Sequence, residues 1–392
     1  MKREELIMIS EIKQIKNKTV SSLKIALATI GLATMSFSST TIAGELDFGK
    51  VGEPVNLVVG YQPYYTEAWS GVVMRGQELF KKYLPKGSTV EFQIGLAGSV
   101  IVNGMLAGKQ HIGYMGDMPA IVSTTKDKIA PISIVATAGL GFDQCNIMLA
   151  RLDAPDFANS KEALQWMNGK NVAVPKGACT DRFALAVFEK ANIKPKSYLN
   201  QNIEVITSGF RAGKLDAAAI WEPTASRLVE EGLAKRIASG ASVDENDGGF
   251  IAMRGDLIQQ RPDVVTAWLN AELDAQLFMA DPENTMAVVK MAESQTTGFT
   301  EKVLWKSMAG SYSDAEGGTP VRIELAFGIT PKAEALIKKA TTFLHSIKTI
   351  HIDTLRPDAV RKEFTEAILK ERGLTAPIGE VRAQPDSAFS GS

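Results

Sequence analysis

Residues 92–119 read FQIGLAGSVIVNGMLAGKQHIGYMGDMP. The order of residue types predicts a strand, a glycine-rich turn, a helix, a turn, a second strand and an acidic turn. Phe92–Gly95 is a short extended run. Gly95, Gly98 and Ser99 make the first turn, with Ser99 as a helix N-cap. Val100–Ala107 is apolar on nearly every side, which predicts a buried helix, and Gly108 suits its C-terminal end. His111–Met115 is the second strand. Gly116-Asp117-Met118-Pro119 opens another helix, with Pro119 in the first turn. In an open α/β sheet, strand-to-helix turns of this kind lie at the carboxyl ends of strands, where ligands bind.

The same grammar extends along the chain. Val55–Gly60, Thr89–Ile94 and Ile132–Thr137 read as strands, with helices over 68–83 and 118–125, so the first third predicts parallel βαβ units. Ala138–Gly141 reads as a crossing point. A second α/β unit follows, with strands at Cys145–Arg151, Asn171–Val174, Ile203–Ile206 and Ala217–Ile220. Its helices fall at 158–167, 182–191 and 224–231, with a short helix or turn at 210–215. Gly249–Arg254 returns to the first unit. The remainder is helical, over Pro262–Ala280, Pro282–Ser294, Glu301–Met308, Pro331–Lys348 and Pro357–Glu371. The predicted organisation is a first lobe of residues 44–139 and 245–375, an inserted second lobe of 140–244, and a flexible tail of 376–392.

Residues 1–43 read as a cleavable export signal. Lys13, Lys16, Lys18 and Lys24 precede the apolar run Ile25–Phe37, and Thr41-Ile42-Ala43 offers small residues for cleavage after Ala43. The run is short for a membrane span. The whole chain has 392 residues and a formal charge of −1. Removing the six basic and three acidic residues of 1–43 leaves 37 basic against 41 acidic. That mildly acidic balance, without a long basic run, argues against a nucleic-acid partner. The two cysteines, Cys145 and Cys179, and three scattered histidines have no metal-ligand spacing. Neither a GxSxG nor an HExxH motif occurs, so no catalytic residue, metal or cofactor is expected.

Three turns share a form: Gly98-Ser99, Asp117-Met118 and Ala178-Cys179-Thr180 each follow a strand and open a helix. Free N–H groups at helix starts favour an anion, and Ser99 and Thr180 add hydroxyls. Each turn alone reads first as a helix cap; together, in two domains that face each other, they predict a binding cleft. Tyr61 and Gln62, directly after the first strand, are read as pocket residues, whereas Trp69 is read as packing of the first helix. Trp221 can wall the pocket. Glu222 is read evenly as a ligand contact or as a salt-bridge partner of Arg182 or Arg211. Cys145 and Cys179 are either bridged or both free, and export favours the bridge.

Four runs in this order and spacing carry a resemblance: Val59–Gln62, Ala107–Pro119, Lys170–Gly177, and Arg211–Ala217 leading to Ile220–Pro223. Over residues 55–240 the chain resembles the periplasmic substrate-binding proteins of ABC importers in the nitrate, sulfonate and taurine group, which includes relatives that bind thiamine-precursor pyrimidines. The resemblance implies a type 2 periplasmic binding fold: two α/β lobes, two crossovers, a ligand in the cleft and hinge closure, with a helical C-terminal part. It implies a monomeric periplasmic receptor that hands its ligand to a permease and ATPase of the inner membrane. The ligand contacts it implies are Tyr61, Gln62, Gly98, Ser99, Asp117, Met118, Ala178, Cys179, Thr180, Trp221 and Glu222. In sulfonate binders the second-lobe turn is small and Ser-rich; here it is Ala178-Cys179-Thr180-Asp181-Arg182, a departure that bears on ligand choice. The expected ligand is a small organic anion such as an aliphatic sulfonate, taurine or nitrate. The alternatives are a pyrimidine or other nitrogen heterocycle, and an exported enzyme on the same fold.

Overall fold

The computed structural model describes residues 45–391, so the predicted signal segment and its cleavage point at Ala43 lie outside the described residues. Among the described residues, twelve strands form two sheets. The first sheet has the order β12-β11-β4-β10-β3-β1-β2. It comprises β1 Asn56–Tyr61, β2 Thr89–Ile94, β3 Ile112–Gly116, β4 Ile132–Gly141, β10 Asp247–Arg254, β11 Val321–Leu325 and β12 Gly379–Arg382. The second has the order β7-β6-β8-β5-β9. It comprises β5 Ile147–Arg151, β6 Asn171–Val174, β7 Ser197–Asn200, β8 Ala217–Ile220 and β9 Ala234–Ser239.

Both sheets follow one rule. β1 pairs in parallel with β2 and β3, and β6 with β7 and β8. Each sheet then takes in one antiparallel strand just after a crossover: β10 between β3 and β4, and β5 between β8 and β9. Helices cover both faces of each sheet, which is why β3, β4, β8 and β10 are buried along their whole length rather than alternating. Two apolar clusters flank the first sheet and two flank the second. The fold is therefore α/β with two lobes, joined by the segments 142–146 and 240–246.

Those two crossovers run side by side. The Gly240 amide donates to Phe142 O and Asn146 O, both at 2.9 Å. A Cβ on Gly240 would overlap the Glu245 and Phe142 carbonyl oxygens, so only glycine lets the strands approach this closely. Asp247 Oδ2 accepts from the Cys145 and Asn146 amides at 2.7 and 2.8 Å. Cys145 is bridged to Cys179, with Cα atoms 6.1 Å apart, which ties the first crossover to the helix Cys179–Lys190.

Several elements differ from the sequence reading. The helix expected over 68–83 is broken at Glu78, whose φ of +52° separates the helix Ser70–Gly76 from a short 3-10 turn at Leu79–Lys82. Ile203–Ile206, read as a strand from its β-branched residues, is the first turn of the helix Ile203–Arg211. The Asn202 side chain caps that helix by accepting from the Val205 amide at 2.9 Å. The strand of this region is Ser197–Asn200 instead. β9 and β11 fall where the sequence reading placed no element. The stretch read as a flexible tail carries β12, which pairs antiparallel with β11. Among the described residues, no helix is long and apolar enough to cross a membrane.

Candidate functional site

A cleft of about 420 Å³ opens between the lobes. The first lobe supplies Ala97–Ser99 and, from the helix Gly98–Leu106, Val102 at the edge of the core with Asn103 and Leu106, together with Pro119 and Val122 of the next helix and Lys126 just beyond it. The second supplies the turn Pro175–Ala178, the segment Asn200–Asn202 and Trp221. The helix Gly98–Leu106 is thus half-buried, not buried all round. Ile101, Val102 and Met105 pack inward, while Val100 is 50% exposed, because the rest of its apolar surface borders the cleft or solvent. Its placement is fixed at Gly98, where a Cβ would collide with the Pro119 ring; the two turns of the opening motif are packed on each other.

Two helix starts meet in this cleft. The N-cap of Gly98–Leu106 is Ala97, not Ser99 as expected, and it provides no side-chain cap. Ser99 lies within the first turn, exposed at the cleft. The N-cap of Cys179–Lys190 is Ala178, again without a side-chain cap. Neither alanine side chain can cap; the N3 amides of Val100 and Asp181 donate to the Ala97 and Ala178 carbonyls, both at 3.0 Å, and the amides before them stand at the positive end of each dipole. Lys126 and Lys176 add cationic groups, and Lys176 Nζ rests 4.4 Å from the centre of the Tyr198 ring. Among the described residues lining the cleft there is no carboxylate. The remaining polar lining is amides and hydroxyls.

Of the residues expected to bind, Gly98, Ser99, Ala178 and Trp221 line this cleft together. The others are not among its lining residues. Tyr61 is fully buried, edge-on to Phe92, and its hydroxyl accepts from Arg75; it packs the first lobe rather than the cleft. Burial pushes its phenol pKa up. Gln62 is buried, with Oε1 unpartnered. Met118 belongs to the apolar cluster under the helix Asp117–Thr124. Cys179 is held in the bridge. Thr180 is fully buried and its hydroxyl donates to Pro175 O at 3.3 Å, so it is no free donor.

The two acidic candidates are also spoken for. Asp117 Oδ2 accepts from Arg182 Nη2 at 2.6 Å, and Arg182 also holds Glu245. Burial raises the Asp117 pKa and the guanidinium opposes the rise. Glu222 accepts from the Ser226 amide and hydroxyl, both at 2.9 Å. Its cationic neighbours are Arg322 and Arg236 at 3.7 and 3.9 Å, not Arg182 or Arg211. Burial raises its pKa, with Arg322 and then Arg236 opposing. Trp69, read as packing, is fully buried and donates its indole N–H to Pro63 O at 2.8 Å. His111 accepts from the Val58 amide at 3.1 Å through Nδ1, and burial lowers its pKa to about 4, which keeps it a neutral packing residue. No group of three His, Cys, Asp or Glu among the described residues is arranged for a metal ion.

The sequence reading missed Lys176, Asn103 and the run Asn200–Asn202. Lys176 stood inside a quoted motif but was taken only as turn. Asn200–Asn202 preceded the misread strand; recognising Asn202 as a helix cap would have placed this run at a strand-to-helix turn like the other three.

The chain matches the NMT1-like family over residues 50–293. A putative aliphatic sulfonates-binding protein of Bacillus subtilis (strain 168) is 25% identical over 199 residues, which span 49% of this chain and 55% of that protein. The chain thus matches about half the length of this curated relative. The alkanesulfonate-binding protein SsuA from Xanthomonas axonopodis pv. citri, solved bound to MOPS, superposes with a TM-score of 0.61 at 18% identity, over 79% of this chain and 98% of that one. The periplasmic nitrate-binding protein NrtA from Synechocystis PCC 6803 gives a TM-score of 0.62 at 16% identity, over 81% and 89%.

Proposed function

Because the chain belongs to the NMT1-like family and has the two-lobe fold of periplasmic sulfonate- and nitrate-binding proteins, we propose that it is the periplasmic solute-binding component of an ABC importer, exported by its N-terminal segment and delivering its ligand to a membrane permease and ATPase. Its ligand is a small organic anion of the sulfonate, taurine or nitrate kind. One observation carries this reading: the interlobe cleft holds two uncapped helix starts and two lysines, with no carboxylate among its described lining residues.

In this proposal the anionic group sits between the first-turn N–H groups at Gly98–Ser99 and the start of the Cys179 helix. The Ser99 hydroxyl donates to it, Lys176 supplies charge, and Trp221 walls the remainder. Closure about the paired crossovers brings the halves together. The heterocycle alternative loses the support of Glu222, both of whose oxygens are engaged by Ser226, and the described residues lining this cleft include no carboxylate.

Mass spectrometry of the ligand carried through native purification, followed by calorimetry with a panel of sulfonates, nitrate, carboxylates and pyrimidines, tests the proposal. Binding of a sulfonate, nitrate or carboxylate is the expected result. A panel in which only neutral or cationic heterocycles bind overturns it, as does turnover of the bound compound.

A further inference from the structure

The lobes are joined by more than the two crossovers. Residues 311–319 leave the first lobe after the helix Glu301–Ala309, touch the second lobe and return as β11. They lie beyond residues 50–293, the span of the family match. The segment is acidic and glycine-rich, yet it is built rather than loose. The Ser313 amide and hydroxyl donate to Glu316 Oε2 at 3.0 and 2.7 Å. The Gly318 amide closes the turn on Ser313 O at 2.9 Å. Its root is fixed to the first lobe, where the Ser311 amide donates to Gln384 O at 2.8 Å.

The tip is bonded to the second lobe beside the hinge. β9 ends at Ser239, the residue before the crossover 240–246. Ser239 Oγ donates to Gly317 O at 2.5 Å, and Arg236 Nε donates to Glu316 O at 3.0 Å. Gly317 has a φ of +72°, and a Cβ there would overlap the Ser239 amide, so glycine alone permits this contact. The Tyr312 hydroxyl is 2.8 Å from Ser226 Oγ. The centre of its ring is 3.9 Å from the Arg236 guanidinium and 5.0 Å from that of Arg322. Arg236 belongs to the second lobe and Arg322 to the first, and both meet Asp143 in the first crossover. One aromatic ring thus packs on a cation of each lobe, and both cations are pinned to the hinge. Ser226 in turn donates to Glu222, the neighbour of Trp221 in the cleft wall.

We propose that residues 311–319 are a splint across the hinge, with Tyr312 and Gly317 as its positioning residues. A hinge of two strands turns where a few residues change φ and ψ. Here each turn must also displace Tyr312 from the two guanidiniums and Gly317 from Ser239. The splint therefore holds the lobes near the angle seen here before any ligand enters, and it fixes the turn that carries Trp221. Closure on a ligand is then a small step rather than a wide swing, which spares the ligand most of the cost of bringing the lobes together.

The test needs no ligand, so its failure leaves the anion reading untouched. Neither native cysteine is a free thiol, so engineered ones can carry spin labels. Ile129 precedes β4 and Leu152 follows β5, at the strand ends away from the first crossover, and they are 47% and 56% exposed. Double electron–electron resonance is measured on the ligand-free Ile129→Cys, Leu152→Cys chain. One narrow distance is expected, with any second distance in fewer than about a tenth of the molecules. Tyr312→Ala removes the ring, and Gly317→Ala pushes the tip off Ser239. Each, in the labelled background, should raise the second population above about a tenth. Tyr312→Phe keeps the ring on both cations and should retain the narrow distance. A ligand-free parent already spread over two distances overturns the splint. A distribution that stays narrow in both Tyr312→Ala and Gly317→Ala overturns it as well.

Discussion

Arg182 Nη2 lies 2.6 Å from Asp117 Oδ2, and both side chains are buried. Asp117 opens a first-lobe helix one turn from the cleft, and Arg182 is on the second-lobe helix that begins at Cys179. The pair therefore bonds the lobes across their interface. Glu245, on the second crossover, takes the other arm of the guanidinium and is itself met by Lys339. A departure in the second-lobe turn that looked from sequence like an addition to ligand chemistry is an interlobe clamp.

Removing the cation alone should be costly. Arg182→Met leaves Asp117 and Glu245 buried without their shared partner, and the loss in unfolding free energy should be about 3–5 kcal/mol. Asp117→Asn in the same background should recover part of it. Urea unfolding of the single and double variants measures this. A loss below about 1 kcal/mol, as for an exposed pair, would show that the clamp is not buried in solution.

The proposed anion contacts separate from the hydroxyl the sequence also nominated. Ser99→Ala should weaken binding of an anionic ligand roughly five- to tenfold. Lys176→Met should weaken it and flatten its dependence on salt, since an exposed lysine acts through a screened charge. Thr180→Ala, whose hydroxyl is already given to Pro175 O, should change affinity less than about twofold. Calorimetry at low and high salt distinguishes the three, and a Thr180→Ala defect equal to that of Ser99→Ala would contradict the assignment.

The bridge between Cys145 and Cys179 closes a loop with a sequence separation of 34 residues. By loop closure alone, its loss should cost roughly 3–4 kcal/mol. The Cys145→Ser, Cys179→Ser double variant should unfold at lower denaturant than the oxidised wild type and match the reduced one. Titration of the unreduced, denatured wild type should find no reactive thiol; two thiols per chain would refute the bridge.

The legible part of this fold was what local chemistry repeats. β2 and the helix Pro262–Ala280 have the ends read from sequence, because turns or an N-terminal proline punctuate them. The glycine-rich turn at Gly98 and the turn at Ala178 were found because strand-to-helix turns have a composition of their own. β9, β11 and β12 escaped because their short, mixed sequences acquire strand character only from a neighbour: β11 is satisfied by β4 and β12. Tyr61, Met118 and Glu222 stand in the expected turns, but their side chains are not among those lining the cleft at Gly98, for one reason. Sequence places a residue at the end of a strand without saying on which side of the sheet its side chain lies, and Arg322, which faces Glu222, is 100 residues away in the chain.

Asp247 yields a prediction about pH. It is fully buried near the equally buried Glu67, and Tyr65 donates to that same Glu67. Burial raises the pKa of Glu67 well above the usual range and that of Asp247 to about 7, with the charges of Asp117 and Asp143 adding to the latter. A carboxyl with a raised pKa in the folded chain holds its proton more tightly there than when unfolded. The stability it contributes is therefore complete below about pH 4 and is lost as pH rises through about 7. The carboxylates with lowered pKa, Asp256, Asp263 and Asp274, act in the opposite sense and only at acid pH, so the two effects fall in separate windows. The melting temperature should drop between pH 6 and pH 8. Asp247→Asn should shrink that drop by at least ~2 °C. An asparagine carbonyl still accepts from the Cys145 and Asn146 amides, and its amide needs no ionisation. Part of the slope should persist, because burial also raises Glu272 to about 7. Equal slopes for wild type and variant across this interval would show that Asp247 does not take up the proton.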